Sequence, residues 1–260
     1  MGMLDGKVAI VYGGGGSIGG ATAATFAREG ATVVLVGRTR ATLEAVAAEI
    51  AAAGGMAEVA VVDAFDEAAV DAHVADVVAR HGHVDVTFNL VRRGDVQGTP
   101  LIDMATDDVL RAVADGLRTS FVTARAAARH MVQRGSGVVL HLNSASGEGA
   151  MPGMGSTGPA DAATESFMRY LAAELGPQGV RVCGIWAAGV EESLTRAKIS
   201  DVDAGGPDPQ HVIAMISGMA ALRRTPRLAD VAETATFLAS DRAGAITGTM
   251  TNVTAGLVLR

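Results

Sequence analysis

The stretch KVAIVYGGGGSIGG, residues 7–20, decides the fold. Its apolar run, residues 8–11, is largely β-branched and does not alternate with polar residues, which is typical of a parallel strand covered on both faces. Four consecutive glycines end this strand, and residues 17–28 have the pattern of a helix. Glycine lets backbone N–H groups at a helix N-terminus approach an anion. The stretch therefore predicts a loop that holds pyrophosphate.

Length and composition favour a soluble single domain. A chain of 260 residues can bury one sizeable core, so we expect one α/β domain over residues 1–260. The first residues lack the pattern of a signal peptide and no apolar stretch exceeds strand length, so we expect a cytoplasmic protein without membrane contact. The single cysteine, Cys183, excludes an internal disulfide and a cysteine-rich metal site. A net charge of -7 argues against a nucleic-acid partner.

Strand-like and helix-like segments alternate along the chain. The predicted strands are residues 8–11, 31–36, 57–62, 84–88, 138–142, 181–186 and 250–253, and the predicted helices are residues 17–28, 41–53, 66–81, 107–133, 159–175 and 230–240. This order predicts one doubly wound parallel sheet with helices on both faces and ligands at the carboxyl ends of its strands. Residues 191–210 are predicted to be irregular, so we expect a mobile substrate lid around residues 190–212.

Two polar residues follow the second and third strands. Arg38 stands where an acidic residue would bind a ribose 2′-hydroxyl, whereas an arginine pairs with a 2′-phosphate. We therefore expect NADP rather than NAD, with an exposed surface arginine as the alternative. Asp63 is expected to accept a hydrogen bond from the adenine amino group, or instead to cap the helix region that follows it.

With these motifs, the whole chain resembles the short-chain dehydrogenase/reductase family, single-domain Rossmann enzymes that move a hydride between NAD(P)(H) and a carbonyl or alcohol. The segment YGGGGSIG, residues 12–19, is similar to the family's Thr-Gly-x-x-x-Gly-Ile-Gly, and residues 171–182 and 237–257 are very similar to later family segments. The resemblance implies a dinucleotide site. Its predicted residues are Gly13, Gly15, Gly16, Ser17, Ile18, Arg38, Asp63, Ala64 and Asn89.

The resemblance fails at the residues that carry the family's chemistry, an asparagine, a serine and a Tyr-x-x-x-Lys pair. Ser144 retains the serine, but the other three positions are occupied by Gly116, Thr157 and Asp161. In the family, the tyrosine protonates the developing alkoxide and the lysine lowers the pKa of that tyrosine. The substitutions predict a non-standard active site with Ser144, Thr157 and Asp161 as its catalytic candidates.

Two interpretations follow. In the first, the protein is an oxidoreductase in which Ser144 binds a carbonyl and the proton comes from water, from Thr157 as a relay, or from a protonated Asp161. Alternatively, Asp161 has a structural role: it forms an ion pair with an arginine, or it is a first-turn carboxylate that the helix dipole stabilises. In the second, the protein is nonredox: a nucleotide-binding pseudoenzyme, a partner subunit, or a lyase, isomerase or cyclase that needs no nicotinamide cofactor.

Charged residues near the expected cofactor also depart from the family. A glycine position near the nicotinamide is Arg92, and a threonine position near the pyrophosphate is Glu192, which is unfavourable unless the carboxylate turns away. Arg92, Arg93 and Arg118 are candidates to pair with Asp161, with Glu192 or with an acidic substrate. His141, inside the fifth strand, is expected to pack beside the sheet.

The remaining expectations concern substrate and assembly. Met151 and Met154 lie among glycines, which favours a flexible apolar wall and a hydrophobic small-molecule substrate. The predicted helices at residues 107–133 and 159–175 are rich in alanine and correspond to the family's usual contact surface. We therefore expect a homodimer or homotetramer.

Overall fold

The computed structural model describes residues 2–259 and confirms the doubly wound parallel architecture. One sheet contains the strands in the order β3-β2-β1-β4-β5-β6-β7, all parallel. The strands are β1 Val8–Tyr12, β2 Thr32–Gly37, β3 Met56–Val61, β4 Val86–Asn89, β5 Gly137–Asn143, β6 Val180–Trp186 and β7 Thr249–Asn252. The helices are α1 Ser17–Arg28, α2 Arg40–Ala52, α3 Glu67–His81, α4 Thr106–Arg134, α5 Thr157–Leu175, α6 Arg196–Val202, α7 Pro209–Met219 and α8 Leu228–Ala239.

The central strand β1 is buried at all five of its positions, as its unalternating apolar sequence predicts. Ala9 and Val11 contribute to the core on one face of the sheet, where they join Phe26 of α1. Ile10 and Tyr12 contribute to the core on the other face. Removing the side chains of both faces from water, at about 25 cal/mol per Å² of apolar surface, is the main force that holds the sheet between its two helix layers.

The register of the sheet brings the polar strand ends to one edge. Tyr12 at the end of β1 is paired with Asn89, and Asn89 is paired with His141 in β5. Asn143 at the end of β5 is paired with Trp186 at the end of β6. The candidate site therefore lies along the carboxyl ends of the strands, as expected for this fold.

Several element boundaries differ from the prediction. The helix α5 begins at Thr157 rather than at residue 159, so Thr157 lies in its first turn. Asn89 and Asn143 are the last residues of their strands and do not belong to the loops that follow. Within residues 2–259, no helix is long and apolar enough to span a bilayer.

The prediction that residues 191–210 are irregular is wrong, because this segment contains α6 and the start of α7. The Thr195 side chain caps α6 by accepting from the Lys198 N–H at 3.3 Å. Asp208 caps α7 by accepting from the Gln210 N–H at 2.9 Å. These short-range caps outweigh the glycines and prolines, which lie in the connection between the two helices and at the first position of α7.

Candidate functional site

The glycine-rich loop between β1 and α1 has a backbone that only glycine fits at two positions. Gly13 has a φ of +81°, and a Cβ there would lie 2.7 Å from Leu90 O. A Cβ at Gly19 would lie 2.2 Å from Gly13 O. No acceptor within the described chain takes the N–H groups of Ser17, Ile18 or Gly19, and the first turn of α1 carries no acidic residue. These free donors, at the positive end of the helix, fit a pyrophosphate.

The two other predicted loop glycines have different local roles. Gly16 is the N-cap residue of α1, with φ -85° and ψ 166°. A Cβ at Gly15 would lie 2.4 Å from Thr42 Oγ1, so Gly15 lets the loop approach α2 closely. Because neither glycine has a side chain, both leave the N-terminus of α1 accessible to a ligand.

Arg38 lies at the carboxyl end of β2 and is exposed. Over residues 2–259, no carboxylate forms a salt bridge with Arg38. The neighbouring Arg40 differs, because its Nη1 lies 3.4 Å from Glu44 Oε1 in an exposed ion pair. The guanidinium of Arg38 is therefore available to an anion at the end of the sheet where the adenine ribose is expected.

Asp63 is exposed after β3, and its Oδ1 accepts from the Phe65 N–H at 3.1 Å. The capping residue of α3 is Asp66, whose Oδ1 accepts from the Ala69 N–H at 3.0 Å. The alternative in which Asp63 caps this helix is therefore wrong, since Asp63 only closes the turn before it. Ala64 is buried, with 5% of its surface exposed.

Asp161 is fully buried on α5 and is surrounded by donors. Its Oδ1 accepts from Arg93 Nη2 at 2.5 Å. Its Oδ2 accepts from Ser144 Oγ at 2.7 Å, from the Ser144 N–H at 3.0 Å and from the Ser146 N–H at 3.1 Å. Four donors, one of them a guanidinium, match the charge of an ionised carboxylate. Asp161 thus forms an arginine ion pair, and Arg93 is its partner.

Arg93 is itself 11% exposed and uses four of its five N–H groups inside the protein. Its Nε donates to Asp95 Oδ1 at 2.8 Å, its Nη1 to Asn143 Oδ1 at 3.4 Å, and its Nη2 to both Asp161 and the Thr157 carbonyl. Burial lowers the pKa of Arg93, but the two nearby carboxylates raise that pKa further, so the net shift is upward. The guanidinium is a permanent positive charge in the wall of the site.

Gly116 on α4 explains how Arg93 fits. A Cβ at Gly116 would lie 2.9 Å from Arg93 Cδ and 3.4 Å from Thr164 Cγ2. An asparagine at this position would collide with the arginine side chain. The absence of a side chain at Gly116 and the Arg93–Asp161 ion pair are therefore parts of one arrangement, and no local sequence signal links these three positions.

The side chain of Thr157 is also held by the protein. Its Oγ1 accepts from Gln97 Nε2 at 3.0 Å, and the residue is 3% exposed. No tyrosine replaces it, because Tyr170 is 73% exposed on α5 and Tyr12 is fully buried in the core. Burial, and then the charge of Asp71, raises the pKa of Tyr12 above its ordinary value.

Two buried polar residues, one inside β5 and one at the end of β4, lie at the base of the site. His141 Nε2 lies 2.9 Å from Asn143 Oδ1, and His141 Nδ1 lies 3.4 Å from Ser120 Oγ. Burial lowers the pKa of His141 to about 4, so its imidazole is neutral at pH 7. Asn89 Nδ2 donates to Ser120 Oγ at 3.3 Å, and Asn89 Oδ1 accepts from the Val91 N–H at 3.0 Å. Both side chains stabilise the site from inside the protein.

These residues surround a cavity of about 240 Å³ at the carboxyl edge of the sheet. Ser144, Thr157, Arg93 and Asn89 all contribute to its wall. Ser144 Oγ lies 2.8 Å from Ser146 Oγ, and Ser146 lines a second, largely apolar cavity of about 590 Å³. The serine pair therefore lies between a polar cavity and an apolar one.

The expected conflict at Glu192 does not arise. The Glu192 carboxylate turns toward α8 and accepts from the Leu228 N–H at 3.0 Å. Arg92 pairs with Asp201 of α6 at 2.6 Å. Arg92 and Arg93 are consecutive, but Arg92 contacts α6 and Arg93 lies in the interior.

Comparison with known proteins gives a consistent family. The profile of a family described as enoyl-(acyl carrier protein) reductase matches residues 14–258. The short-chain reductase protein NovJ of Streptomyces niveus is 33% identical over 253 residues, 96% of this chain and 93% of that protein. An uncharacterized oxidoreductase of Mycobacterium tuberculosis is 31% identical over 255 residues, 98% of this chain and 93% of that protein. The structure of an NAD+-bound xylitol dehydrogenase superposes with a TM-score of 0.87 at 27% identity, covering 97% of this chain and 99% of the other.

Proposed function

This chain belongs to the short-chain dehydrogenase/reductase family, and on that premise we propose that it is an NADP-preferring oxidoreductase that acts on an alcohol or carbonyl through a non-standard active site. The observation that carries the proposal is the set of free N–H groups of Ser17, Ile18 and Gly19. When bound, the dinucleotide supplies the nicotinamide that takes or gives the hydride. The glycine loop would hold the pyrophosphate, with Asp63 and Ala64 beside the adenine and Asn89 bracing the nicotinamide end.

The preference for NADP rests on Arg38, and Arg38→Ala tests it. We expect the variant to bind NADPH about tenfold more weakly, because one charge-assisted contact to the 2′-phosphate is lost, and to bind NADH unchanged. Titration followed by nicotinamide fluorescence measures both affinities. Arg40→Ala is the matched control, since Arg40 pairs with Glu44. An Arg38→Ala variant that binds NADPH as well as the wild type would refute the preference.

The proton chemistry is proposed to run through Ser144. Its hydroxyl lines the cavity and donates to Asp161, so its lone pairs can accept the proton of a substrate alcohol. With the dinucleotide bound to accept the hydride, the proton of the alcohol would pass to Ser144 Oγ while the serine's own proton would move to Asp161 Oδ2. The reverse sequence of transfers would serve the reduction of a carbonyl. Thr157, held by Gln97, would border the substrate without transferring a proton.

A Ser144→Ala variant should lose this path. We expect turnover to fall about 100-fold or more, since that is the usual contribution of a positioned proton-transfer group, while NADPH affinity stays unchanged. Steady-state rates over a panel of secondary alcohols and ketones, with NADP and NAD, provide the measurement. Ser136→Ala, at an exposed turn residue, is the control. Equal turnover in the Ser144→Ala variant and the wild type would remove Ser144 from the mechanism.

The substrate is proposed to be a small hydrophobic molecule. The apolar cavity beyond Ser146 is lined by Pro100 and Leu101 on one side and by Met151 and Met154 on the other. Methionine side chains adapt to irregular apolar shapes. An apolar group in this cavity would place an adjoining hydroxyl next to the serine pair.

A second candidate function is nucleotide binding without hydride chemistry. It is favoured by one observation: Asp161 is enclosed by four donors and Thr157 Oγ1 is held by Gln97, so neither side chain is a free acid. NADPH binding with no turnover over the alcohol and ketone panel would support this candidate. Absence of binding to both NADPH and NADH would exclude the redox proposal.

The protein is further proposed to form a homodimer or homotetramer through the outer face of α4 and α5. Phe121 and Tyr170 are 46% and 73% exposed on these helices. Phe121 packs edge-on against Phe167 at a ring distance of 6.0 Å, so aromatic surface from both helices is available to a second copy.

A further inference from the structure

Lys198 lies on α6, and its side chain reaches the N-terminus of α1 at the end of the glycine-rich loop. Its Nζ donates to Ser17 Oγ, the hydroxyl of the first residue of α1. The two residues are 181 positions apart in the sequence. The side chain of a lid residue is therefore located at the same helix N-terminus whose N–H groups are free.

The ammonium of Lys198 is half-buried without a neutralising partner. In the part of the chain that the structure describes, no carboxylate lies within salt-bridge distance of it. Burial, and then the positive charge of Arg92, lowers the pKa of Lys198. One of its three N–H groups serves Ser17, which leaves two for a ligand. Positive charge without a carboxylate partner, next to free N–H donors, favours the binding of an anion.

Other contacts hold α6 in this position. Arg92 pairs with Asp201 at 2.6 Å, and the Gln97 N–H donates to the Val202 carbonyl at 2.7 Å. At the start of the helix, Arg196 Nη1 donates to the Gly206 carbonyl at 2.7 Å. The placement of Lys198 is thus set by the docking of the whole helix and does not depend on its own single hydrogen bond.

We propose that Lys198 is a pyrophosphate ligand carried by the lid, which contributes to the dinucleotide site the positive charge that the glycine-rich loop lacks. This inference rests on the proposed function, because it requires the loop to bind the dinucleotide. The carboxylate of Glu192 does not compete with a phosphate for Lys198, because it accepts a hydrogen bond from the Leu228 N–H. Cofactor and lid are then linked, because a phosphate that pairs with Lys198 also holds α6 over the cleft.

Binding measurements with phosphate-bearing and phosphate-free ligands test the proposal. Isothermal titration of ADP, NADPH and adenosine is compared in the wild type, Lys198→Ala, Lys198→Arg and Lys7→Ala. Lys7 is the other lysine of the chain and pairs with Asp241 at 2.8 Å, so it is the matched control. We expect Lys198→Ala to weaken ADP and NADPH binding about tenfold and to leave adenosine binding unchanged. Lys198→Arg should retain most of the affinity, and Lys7→Ala all of it.

Two results would overturn the proposal in distinguishable ways. If the wild type binds ADP and NADPH but Lys198→Ala binds them equally or more tightly, the lysine is no phosphate ligand and the proposed function stands. If the wild type binds none of ADP, NADPH and NADH, both the proposed function and the role of Lys198 are wrong.

Lysine labelling of the wild-type protein tests the contact between Lys198 and phosphate without any substitution. Lys198 and Lys7 are acetylated with a limiting reagent, and mass spectrometry quantifies each site with and without saturating ADP. We expect ADP to reduce labelling of Lys198 several-fold relative to Lys7, because an ammonium paired with phosphate is a poor nucleophile. Labelling of Lys198 that is insensitive to bound ADP would contradict the proposal.

Discussion

Replacing Arg93 with alanine is expected to lower the free energy of unfolding by about 3–5 kcal/mol, the usual cost of removing one partner of a buried ion pair. The reason is local: Asp161 is fully buried, and without the guanidinium its Oδ1 loses its cation. Urea denaturation at neutral pH measures the change. A decrease of this size would be among the largest for a single substitution in this chain.

Arg92→Ala is the matched control for this prediction. Arg92 precedes Arg93 and also pairs with an aspartate, but its side chain is 63% exposed. An exposed pair contributes about 1 kcal/mol or less, so the control should unfold near the wild-type urea concentration. A double variant, Arg93→Ala with Asp161→Asn, should recover part of the loss because no carboxylate is left unpaired. Equal destabilisation by Arg92→Ala and Arg93→Ala would show that the interior pair is not desolvated.

Acidification is expected to remove about 3 kcal/mol of stability through His141 alone, between pH 6.5 and pH 4. The folded protein holds this imidazole neutral, with a pKa of about 4, because it is buried. The unfolded chain protonates it near the ordinary pKa of 6.5. Below pH 6.5 the unfolded state therefore binds the proton first, so stability falls with the pH until the folded imidazole is also protonated, near pH 4.

The measurement compares urea unfolding at pH 7.5 and pH 4.5 for the wild type and His141→Gln. Glutamine keeps a donor toward Asn143 Oδ1 but cannot titrate, so the variant should lose less stability than the wild type over this interval. Other groups titrate in the same range, and the difference between the two proteins isolates His141. The exposed His211, replaced in the same way, should leave the wild-type pH dependence intact. Parallel losses in the wild type and His141→Gln would refute the buried neutral state.

The fold was predictable because its signals are local. The unalternating strand, the glycine loop and the alternation of elements need only neighbouring residues to be recognised. The backbone of residues 191–210 was mispredicted for a related reason. Gly205 and Gly206 suggested an irregular chain, while the capping residues Thr195 and Asp208 carried the stronger short-range signal.

The candidate site was only partly predictable. Counting along the chain located Ser144, Thr157 and Asp161, and the sequence offered Arg92, Arg93 and Arg118 as candidate partners for Asp161. The choice among Arg92, Arg93 and Arg118 depends on the path of the backbone after β4, which no sequence pattern encodes. The contact of Lys198 with Ser17 joins distant parts of the chain through the docking of α6 and carries no local signal at all.

The close fit of Arg93 over Gly116 has a consequence for the substitutions that this site tolerates. Suppose that the asparagine of the family were introduced alone. An asparagine at position 116 would strike the Arg93 side chain, whose Cδ is 2.9 Å from a Cβ placed there. Removing Arg93 first would leave the buried carboxylate of Asp161 without its cation. An asparagine at position 116 and the loss of Arg93 would therefore each destabilise the protein when made alone, so the two substitutions are expected to be tolerated only together with a change at Asp161.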